Sequence, residues 1–290
     1  MRHLLERCTF PSAGTPVVCA VSGGPDSTAL LVLACAAGLQ VEAVHVDHGL
    51  RPESAGEAAV VEATAARFGA SFRAVTVHVG AGPNLEARAR TARYAQLPPD
   101  VLTGHTADDQ AETVLINLLR GAGPAGLAAM TPGHRRPLLG LRRADTVELC
   151  RSLGIPTVND PSNTDPRHLR NRVRHELLPL LDDLSRRDLV PLLARTADLA
   201  RDDHRLLDDL AASLDPTDAK ALAAAPTPLA RRSVRRWLTL EHPPDLATVD
   251  RVLEVARGAA NACDVGGGRR VERTNQRLRV VPFGEGPNPE

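Results

Sequence analysis

Short runs of apolar, often β-branched residues alternate with longer segments of helical periodicity over the first 160 residues of the chain. The apolar runs predict four strands, at residues 17–21, 41–46, 72–79 and 101–103. Helices are predicted between and after them, at residues 27–37, 53–68, 85–97 and 107–119. Strands that are apolar on both faces and separated by helices are typical of a parallel sheet covered on both sides. We therefore expect a doubly wound α/β fold, with ligand chemistry at the carboxyl ends of its strands.

The pattern changes after residue 160, where leucine- and alanine-rich helical periodicity replaces the strand pattern. Helices are predicted at residues 167–181, 189–214, 231–240 and 246–257. An alternating segment at residues 269–281 predicts one terminal strand. We place a domain boundary at residue 182, which gives an α/β domain over residues 1–182 and a smaller, mainly helical domain over residues 183–290.

Composition excludes several classes of protein. The five cysteines are scattered and form no C-x-x-C pair, which argues against a zinc knuckle, a thioredoxin motif and a disulfide framework. No run of about 18 uncharged apolar residues occurs, so we expect no membrane segment. The scattered cysteines, together with the lack of a signal-peptide apolar block at residues 1–12, make a reducing cytoplasm the expected location. The single lysine, Lys220, has no glycines near it, which excludes a Walker A loop. With only 2% aromatic residues, recognition of RNA by stacking bases on an aromatic sheet is not expected either.

The turn between the first strand and its helix is rich in glycine and hydroxyl groups. It contains the residues Ser22, Gly23, Gly24, Pro25, Asp26 and Ser27. Glycines allow a tight turn whose N–H groups face an anion, and the helix N-terminus adds a favourable dipole. The carboxylate of Asp26 would repel phosphates unless a divalent cation lay between them, so we infer a Mg²⁺ ion bound by Asp26. The alternative is an ordinary turn that only caps the helix.

This turn resembles the PP-loop of the ATP pyrophosphatases, which split ATP between its α and β phosphates. Further motifs resemble the tRNA(Ile)-lysidine synthases within that group, in the same order along residues 15–182. They are residues 46–51 (VDHGLR), 84–86 (NLE) with Arg90, Arg93 and Tyr94, 103–113 (TGHTADDQAET), 160–163 (DPSN) and 170–175 (RNRVRH). The resemblance implies a PP-loop ATP-binding catalytic domain followed by a substrate- and tRNA-binding domain.

The same resemblance implies the reaction and its partners. The wobble cytidine of tRNA(Ile) would be adenylated with ATP, and free L-lysine would then displace AMP to give lysidine. ATP would be a substrate with Mg²⁺ as its cofactor, and the macromolecular partner would be tRNA(Ile). The oligomeric state stays open, with a homodimer as one option.

Four polar residues after the fourth predicted strand share one helical face. They are His105, Asp108, Asp109 and Glu112, at positions i, i+3, i+4 and i+7. Such a set can hold Mg²⁺, or can bind a cationic amine and take its proton. The alternative is a capping box, with Thr106 as the N-cap and Asp109 as its partner. The resemblance favours catalytic roles for His105 and Asp109 beside Asp26, and a substrate role for Glu112.

Basic residues complete the set of candidates. His48 follows the second strand and is expected to bind the nucleotide together with the Ser22 to Ser27 turn. Arg90 and Arg93 are expected to meet pyrophosphate or tRNA phosphates, and the cluster of Arg170, Arg172 and Arg174 to contact tRNA. Arginine suits this task because its planar fork binds phosphate bidentately. Residues 134–174 contain nine arginines and only four acidic residues, so the zero net charge of the whole chain conceals a strongly basic segment. A solvated basic face is the alternative.

Two other functions compete with the ligase. A PP-loop tRNA thiolase generally needs suitably placed catalytic cysteines, often with an iron–sulfur cluster, and the sequence has no C-x-x-C pair. A non-catalytic protein that binds ATP and tRNA would not require the acidic loop residue together with His105 and Asp109. Both alternatives are therefore less favoured than the ligase.

Overall fold

The computed structural model describes residues 1–47, 54–77, 88, 91–92, 95–159 and 164–282. Its first element is α1 (Arg2–Leu5), and a parallel sheet follows, formed by β1 (Pro16–Ala20), β2 (Gln40–Asp47) and β3 (Ser71–Thr76) in that spatial order. Val17 pairs with Val41 across the first ladder, and His45 pairs with Ala74 across the second. Leu102 adds a parallel bridge to Cys19 on the other edge of β1. The first three predicted strands are confirmed, and the fourth is reduced to this bridge.

Helices connect these strands and cover the sheet. They are α2 (Pro25–Ala36), α3 (Ser54–Phe68), α4 (Ala107–Leu119), α5 (Pro124–Leu127) and α6 (Arg143–Ser152). Every side chain over residues 27–34 of α2 is buried, because this helix packs against the sheet, α3 and α6. A helix enclosed in this way has no need of a polar face, so its continuous apolar sequence follows from its central position. The predicted α/β fold class is confirmed.

The segment predicted as one helix over residues 167–181 is interrupted. It consists of α7 (Leu169–Arg172), a π-helical turn (Val173–Leu177) and α8 (Leu178–Ser185). Single π turns inside helices rotate the following side chains and are frequent at functional sites. Arg174 lies in this turn, and Arg170 and Arg172 lie in the helix before it.

The chain divides into two compact units, Met1–Ala200 and Arg201–Glu290. The division falls within α9 (Val190–Ala212), and the boundary at residue 182 stays a prediction. The second unit continues with α10 (Ala219–Ala224), α11 (Thr227–Leu238) and α12 (Leu246–Arg257). Within the described part of the chain, none of the helices combines the length and the apolarity needed to cross a bilayer.

The second unit also contains an antiparallel sheet. Its strands are β4 (Ala262–Gly266), β5 (Arg269–Thr274) and β6 (Arg277–Pro282). The prediction of one strand over residues 269–281 is wrong, because Asn275 and Gln276 adopt positive φ angles of 48° and 64° and turn the chain back on itself. Two such residues form a tight hairpin turn that matches the twist of the strands. Val271 and Leu278 fix the register by entering the core of this unit.

Candidate active site

The turn between β1 and α2 is held closed by its own hydroxyl groups. Ser27 Oγ accepts the N–H of Ser22 at 3.1 Å and donates to the Gly24 carbonyl at 3.0 Å. Gly23 has a φ of +85°, and a Cβ there would lie only 2.7 Å from Val158 Cγ2. Glycine is therefore required on both counts. The turn leads directly into the N-terminus of α2, whose first N–H groups have no acceptors within the helix and so favour an anion.

A cleft of about 360 Å³ lies against this turn, a volume typical of small-ligand pockets. Its polar lining comes from the turn and from the segments that follow the sheet, and its apolar lining comes from β1 and β2 together with Leu97 and Val158. The lining includes Ser22, Gly24, Pro25, Asp26, Ser27, Val44, Val46, Leu97, Thr103, His105, Asp109, Arg143, Val158 and Arg174. The cleft thus joins an anion-binding turn to acidic and basic side chains, as expected at the carboxyl edge of a parallel sheet.

Gly104 allows the segment after the bridge to approach the turn. A Cβ at Gly104 would lie 2.6 Å from the carbonyl oxygen of Asp26 and 2.8 Å from its carbonyl carbon. These are backbone atoms at the start of α2, and they cannot yield without moving that helix. On either side of Gly104, Thr103 Oγ1 and His105 Nδ1 share a hydrogen bond of 2.8 Å. The close approach therefore sets where the imidazole lies relative to the turn.

Replacing Gly104 with alanine should displace the N-terminus of α2. We expect ATP affinity to fall about tenfold or more, because small misplacements at a binding site are costly, with a loss of about 1–3 kcal/mol in the free energy of unfolding. Isothermal titration measures the ATP affinity, and urea unfolding measures the stability.

Gly56→Ala is the control for this variant, since a Cβ at Gly56 meets nothing within 4 Å. That variant should gain about 0.5–1 kcal/mol. Unchanged ATP binding in Gly104→Ala would show that the close approach does not matter.

Arg143 joins three acidic side chains from two separate elements. Its Nε donates to Asp26 Oδ2 at 3.2 Å, its Nη2 to Asp109 Oδ1 at 3.0 Å and its Nη1 to Glu112 Oε1 at 3.1 Å. Thr146, one turn further along α6, donates its hydroxyl to the other oxygen of Asp26. One guanidinium therefore brings the acidic residue of the turn and the acidic face of α4 together.

Glu112 is fully buried and surrounded by arginines. Besides the hydrogen bond from Arg143, it accepts hydrogen bonds from Arg170 Nε at 2.8 Å, Arg174 Nε at 2.7 Å and Arg174 Nη2 at 3.0 Å. A buried carboxylate is tolerated only when its charge is balanced and its oxygens accept hydrogen bonds, and both conditions are met here. Arg172 points elsewhere, because it pairs with Glu176 at 3.1 Å and remains largely exposed.

Asp109 serves two purposes with its two oxygens. Oδ2 accepts the backbone N–H of Thr106 at 2.9 Å and its hydroxyl at 3.0 Å, which confirms the capping interpretation for that oxygen. Oδ1 faces Arg143 and lies 3.5 Å from nitrogens of Arg170 and Arg174. The carboxylate is therefore both a helix cap and part of the cleft.

The environment moves the pKa values of the two cleft carboxylates in opposite directions. Burial acts to raise the pKa of Asp109, but Arg143, Arg170 and the Thr106 N–H outweigh it and hold that pKa below its ordinary value. The charge of Asp109 thus contributes stability above the unfolded-state pKa, and this contribution is lost as the pH falls through the lower folded-state value. Burial raises the pKa of Asp26, and Arg143 and Thr146 offset this only in part. A further cation near Asp26 would therefore find an incompletely balanced carboxylate.

Asp108 does not share the cleft with its neighbours in sequence. It accepts the Arg143 N–H at 2.7 Å and both Nε and Nη2 of Arg142 at 3.2 Å. Asp108 therefore anchors the start of α6, which carries Arg143 to the cleft. Helical spacing places four polar residues on one face, and the tertiary structure separates them. Asp108 anchors α6, His105 and Asp109 line the cleft, and Glu112 is buried behind that lining.

Comparisons with known proteins agree with this geometry. The PP-loop domain family model matches residues 2–181. A tRNA(Ile)-lysidine synthase from Nocardia farcinica is 44% identical over 295 residues, which cover 94% of this chain and 93% of that protein. One from Thermobifida fusca is 39% identical over 302 residues, with 92% of each chain covered. The chain belongs to the tRNA(Ile)-lysidine synthase family.

A further family member, from Mycolicibacterium paratuberculosis, is 46% identical over 235 residues, covering 76% of this chain and 73% of that protein. Among solved structures, the U34-tRNA thiolase NcsA from Methanococcus maripaludis, which holds a 4Fe–4S cluster, superposes with a TM-score of 0.53. That match covers 69% of this chain and 77% of the thiolase at 15% sequence identity. At this identity the likeness shows a common fold and nothing about activity.

The structure brings most of the predicted site residues of this family member together. The Ser22 to Ser27 turn, His105, Asp109 and Arg174 are all part of the site, and Glu112 and Arg170 lie directly behind its lining. His48, Arg90 and Arg93 lie outside the described residues. Arg143 and Thr146 are not singled out by the sequence, because the residue pattern predicts no helix where α6 lies and Arg143 is only one of nine arginines among residues 134–174. The one local signal is Asp145, which accepts the Arg142 N–H at 2.8 Å and so marks the start of α6.

The acidic residues fit a magnesium ion that arrives with a nucleotide. Among the described residues, no group of three His, Cys, Asp or Glu side chains is arranged to hold a metal ion. Nucleotide-bound Mg²⁺ does not need such a cage, since it commonly takes one or two carboxylates and completes its shell with phosphate and water oxygens. Asp26 beside the anion-binding turn meets that requirement, so its predicted metal role is compatible with the structure.

Proposed function

We propose that this chain adenylates the wobble cytidine of tRNA(Ile) with ATP and joins free lysine to it, forming lysidine with release of pyrophosphate and AMP. The observation that carries the proposal is the link made by Arg143. Its guanidinium donates hydrogen bonds to Asp26, which belongs to the anion-binding turn, and also to the acidic pair Asp109 and Glu112. A reaction between a triphosphate and a cationic amine needs these two environments side by side.

The turn supports the first step. Its backbone and the N-terminus of α2 bind the β and γ phosphates, while the C2 carbonyl oxygen of cytidine attacks the α phosphorus and the α–β bond breaks. Mg²⁺ held by Asp26 and phosphate oxygens would offset the negative charge of the departing pyrophosphate. Activation is required because an amide-like oxygen is a poor leaving group, whereas the phosphate oxygen of AMP is a good one.

The acidic pair and His105 support the second step. Asp109, ionised because Arg143 and Arg170 hold its pKa low, binds the ε-ammonium of lysine. The ammonium must lose a proton before its nitrogen attacks C2 of the adenylated cytidine and AMP leaves. His105 lies in the cleft wall beside Asp109, and a neutral imidazole nitrogen can act as a general base, so His105 is proposed to accept that proton.

A thiolase activity is not supported by the cysteines. Among the described residues that line the cleft, none is a cysteine. Cys19 is buried within strand β1 of the sheet, and burial raises the pKa of its thiol. Cys150 lies 3.6 Å from the Pro25 carbonyl, and burial raises its pKa to about 11. Neither thiol has the exposed, electropositive surroundings that produce a reactive thiolate.

Incorporation of radiolabelled lysine into a tRNA(Ile) transcript tests the proposed function. The label should enter the RNA only when ATP is present. A transcript with uridine at the wobble position is the matched control and should remain unlabelled. Absence of label in the cytidine transcript, or equal label in both, would contradict the proposal.

Replacing Asp109 with asparagine should impair the lysine step more than ATP binding. The neutral amide keeps an acceptor for the Thr106 N–H but loses the charge that attracts the ammonium. We expect the KM for lysine to rise about tenfold to a hundredfold. The Kd for ATP should change little. A large loss of ATP affinity measured without lysine would instead assign Asp109 to the metal.

The C-terminal unit and the basic segment before it are proposed to bind tRNA. Of the three arginines predicted to do so, Arg172 has an exposed side chain, while Arg170 and Arg174 contact Glu112. Arg172→Gln should reduce the log–log salt slope of tRNA binding by roughly 0.7–0.9, the effect of one lost phosphate contact. Arg151→Gln removes a similarly exposed arginine paired with Glu148 and should leave the slope unchanged. Equal slopes in both variants would show that Arg172 does not meet a phosphate.

A further inference from the structure

Arg143 is the only part of α6 that reaches all three acidic residues of the site within the described chain. Its side chain is 24% exposed and forms part of the cleft lining, so a ligand in the cleft meets it directly. The neighbouring Arg142 differs in both respects, because it pairs with Asp108 and Asp188 and does not line the cleft. The two adjacent arginines therefore offer a comparison between a residue in the cleft and one outside it.

The balance of charge around Asp109 depends mainly on Arg143. Glu112 has two further arginines at hydrogen-bond distance, Arg170 at 2.8 Å and Arg174 at 2.7 Å. Asp109 Oδ1 has Arg143 at 3.0 Å, whereas Arg170 and Arg174 are each 3.5 Å away. An ammonium that binds Asp109 Oδ1 must compete with the Arg143 guanidinium for the same oxygen.

A triphosphate in the cleft offers Arg143 a different partner. The Nε of Arg143 lies 3.2 Å from Asp26 Oδ2, and Asp26 is the acidic residue of the anion-binding turn. Phosphates bound at the turn would therefore lie close to the same guanidinium. Phosphate groups carry more charge than a carboxylate and match the planar fork of arginine. Phosphate oxygens bound at the turn would therefore compete with the carboxylates for this guanidinium.

We propose that Arg143 couples nucleotide binding to lysine binding. A nucleotide at the turn draws the guanidinium away from Asp109, and the Asp109 carboxylate then accepts the lysine ammonium. This inference rests on the proposed function, since it takes a nucleotide and lysine as the two ligands. The coupling is positive, so bound nucleotide raises the affinity for lysine. Because coupling between two sites is reciprocal, bound lysine raises the affinity for the nucleotide by the same factor.

Isothermal titration of lysine into the protein, with and without α,β-methylene-ATP and Mg²⁺, measures this coupling. In the wild-type protein the Kd for lysine should fall at least about tenfold when the nucleotide analogue is present, within the usual range of coupling between sites. In Arg143→Gln the affinity for lysine without nucleotide should increase, and the ratio of the two Kd values should approach one. Arg142→Gln is the matched control and should keep the wild-type ratio. Arg143→Lys retains the charge but cannot donate hydrogen bonds to three carboxylates at once. In this variant, too, the ratio of the two Kd values should approach one.

Three results would overturn the inference. The first is a wild-type ratio near one, which needs no variant and therefore decides even if Arg143→Gln does not fold. The second is a wild-type ratio that persists in Arg143→Gln. The third is a wild-type protein that binds no lysine under either condition. Each of these leaves the proposed function standing as long as the wild-type protein incorporates labelled lysine into tRNA(Ile), so the two failures are distinguishable.

Discussion

Replacing Asp26 with asparagine should abolish ATP-dependent chemistry and leave the fold intact. Asparagine has the same shape and keeps an acceptor for the hydroxyl of Thr146, but it loses the charge that is proposed to hold Mg²⁺ beside the phosphates. Pyrophosphate release in the presence of tRNA(Ile) should fall by about a hundredfold or more, as expected when a group that stabilises charge in the transition state is removed.

The expected stability of this variant follows from the raised pKa of Asp26. Because burial raises the folded-state pKa, the charged form of Asp26 lowers the free energy of unfolding once the pH is above that pKa. Removing the charge should therefore leave the melting temperature unchanged or slightly higher. Asp145→Asn removes a carboxylate that pairs with Arg7 outside the cleft and should keep pyrophosphate release within about twofold. A near wild-type rate in Asp26→Asn, with the same dependence on Mg²⁺, would refute the metal role.

Replacing Glu112 with glutamine should produce the largest loss of stability among single changes at the site. Glu112 is fully buried, and its charge balances Arg143, Arg170 and Arg174. Removing one partner of a buried ionic cluster leaves the other charges uncompensated, so we expect the free energy of unfolding to fall by about 3 kcal/mol. Urea unfolding measures the change. Glu148→Gln disrupts an exposed pair with Arg151 and should leave the unfolding transition where it is.

A small effect of Glu112→Gln on stability would mean that the arginines find other partners. In that case the two arginines Arg170 and Arg174 would not depend on Glu112, and their predicted contact with tRNA phosphates would be favoured. Loss of lysine transfer with unchanged stability would instead place Glu112 in direct contact with substrate.

Local patterns predicted the part of the site that local chemistry determines. The α4 helix over residues 107–119 and the turn before α2 follow from periodicity, glycine content and hydroxyl groups that are close in sequence. The hairpin in β5 and β6 was missed because its turn residues, Asn275 and Gln276, sit inside an alternating pattern and only the Asn is a common turn former. Pairing of strands across such a turn also depends on the apolar face that the rest of the unit provides.

Partners of charged side chains were the least predictable feature. The spacing of Arg170 and Arg174 showed correctly that they share a face, but not that Glu112 lies opposite them, 58 and 62 residues away in sequence. Arg143 looked like one more member of a basic cluster, although it contacts three acids. Sequence spacing fixes which residues lie side by side on an element, and only the packing of elements decides what they face.

Mass spectrometry of the nucleosides of tRNA(Ile), after incubation with the protein, ATP, Mg²⁺ and lysine, tests the central claim most directly. Cytidine at the wobble position should be converted to a product whose mass has increased by one lysine minus one water, and omission of either ATP or lysine should prevent it. A wobble cytidine that remains unmodified, or one in which sulfur has replaced oxygen, would contradict the claim that this chain makes lysidine.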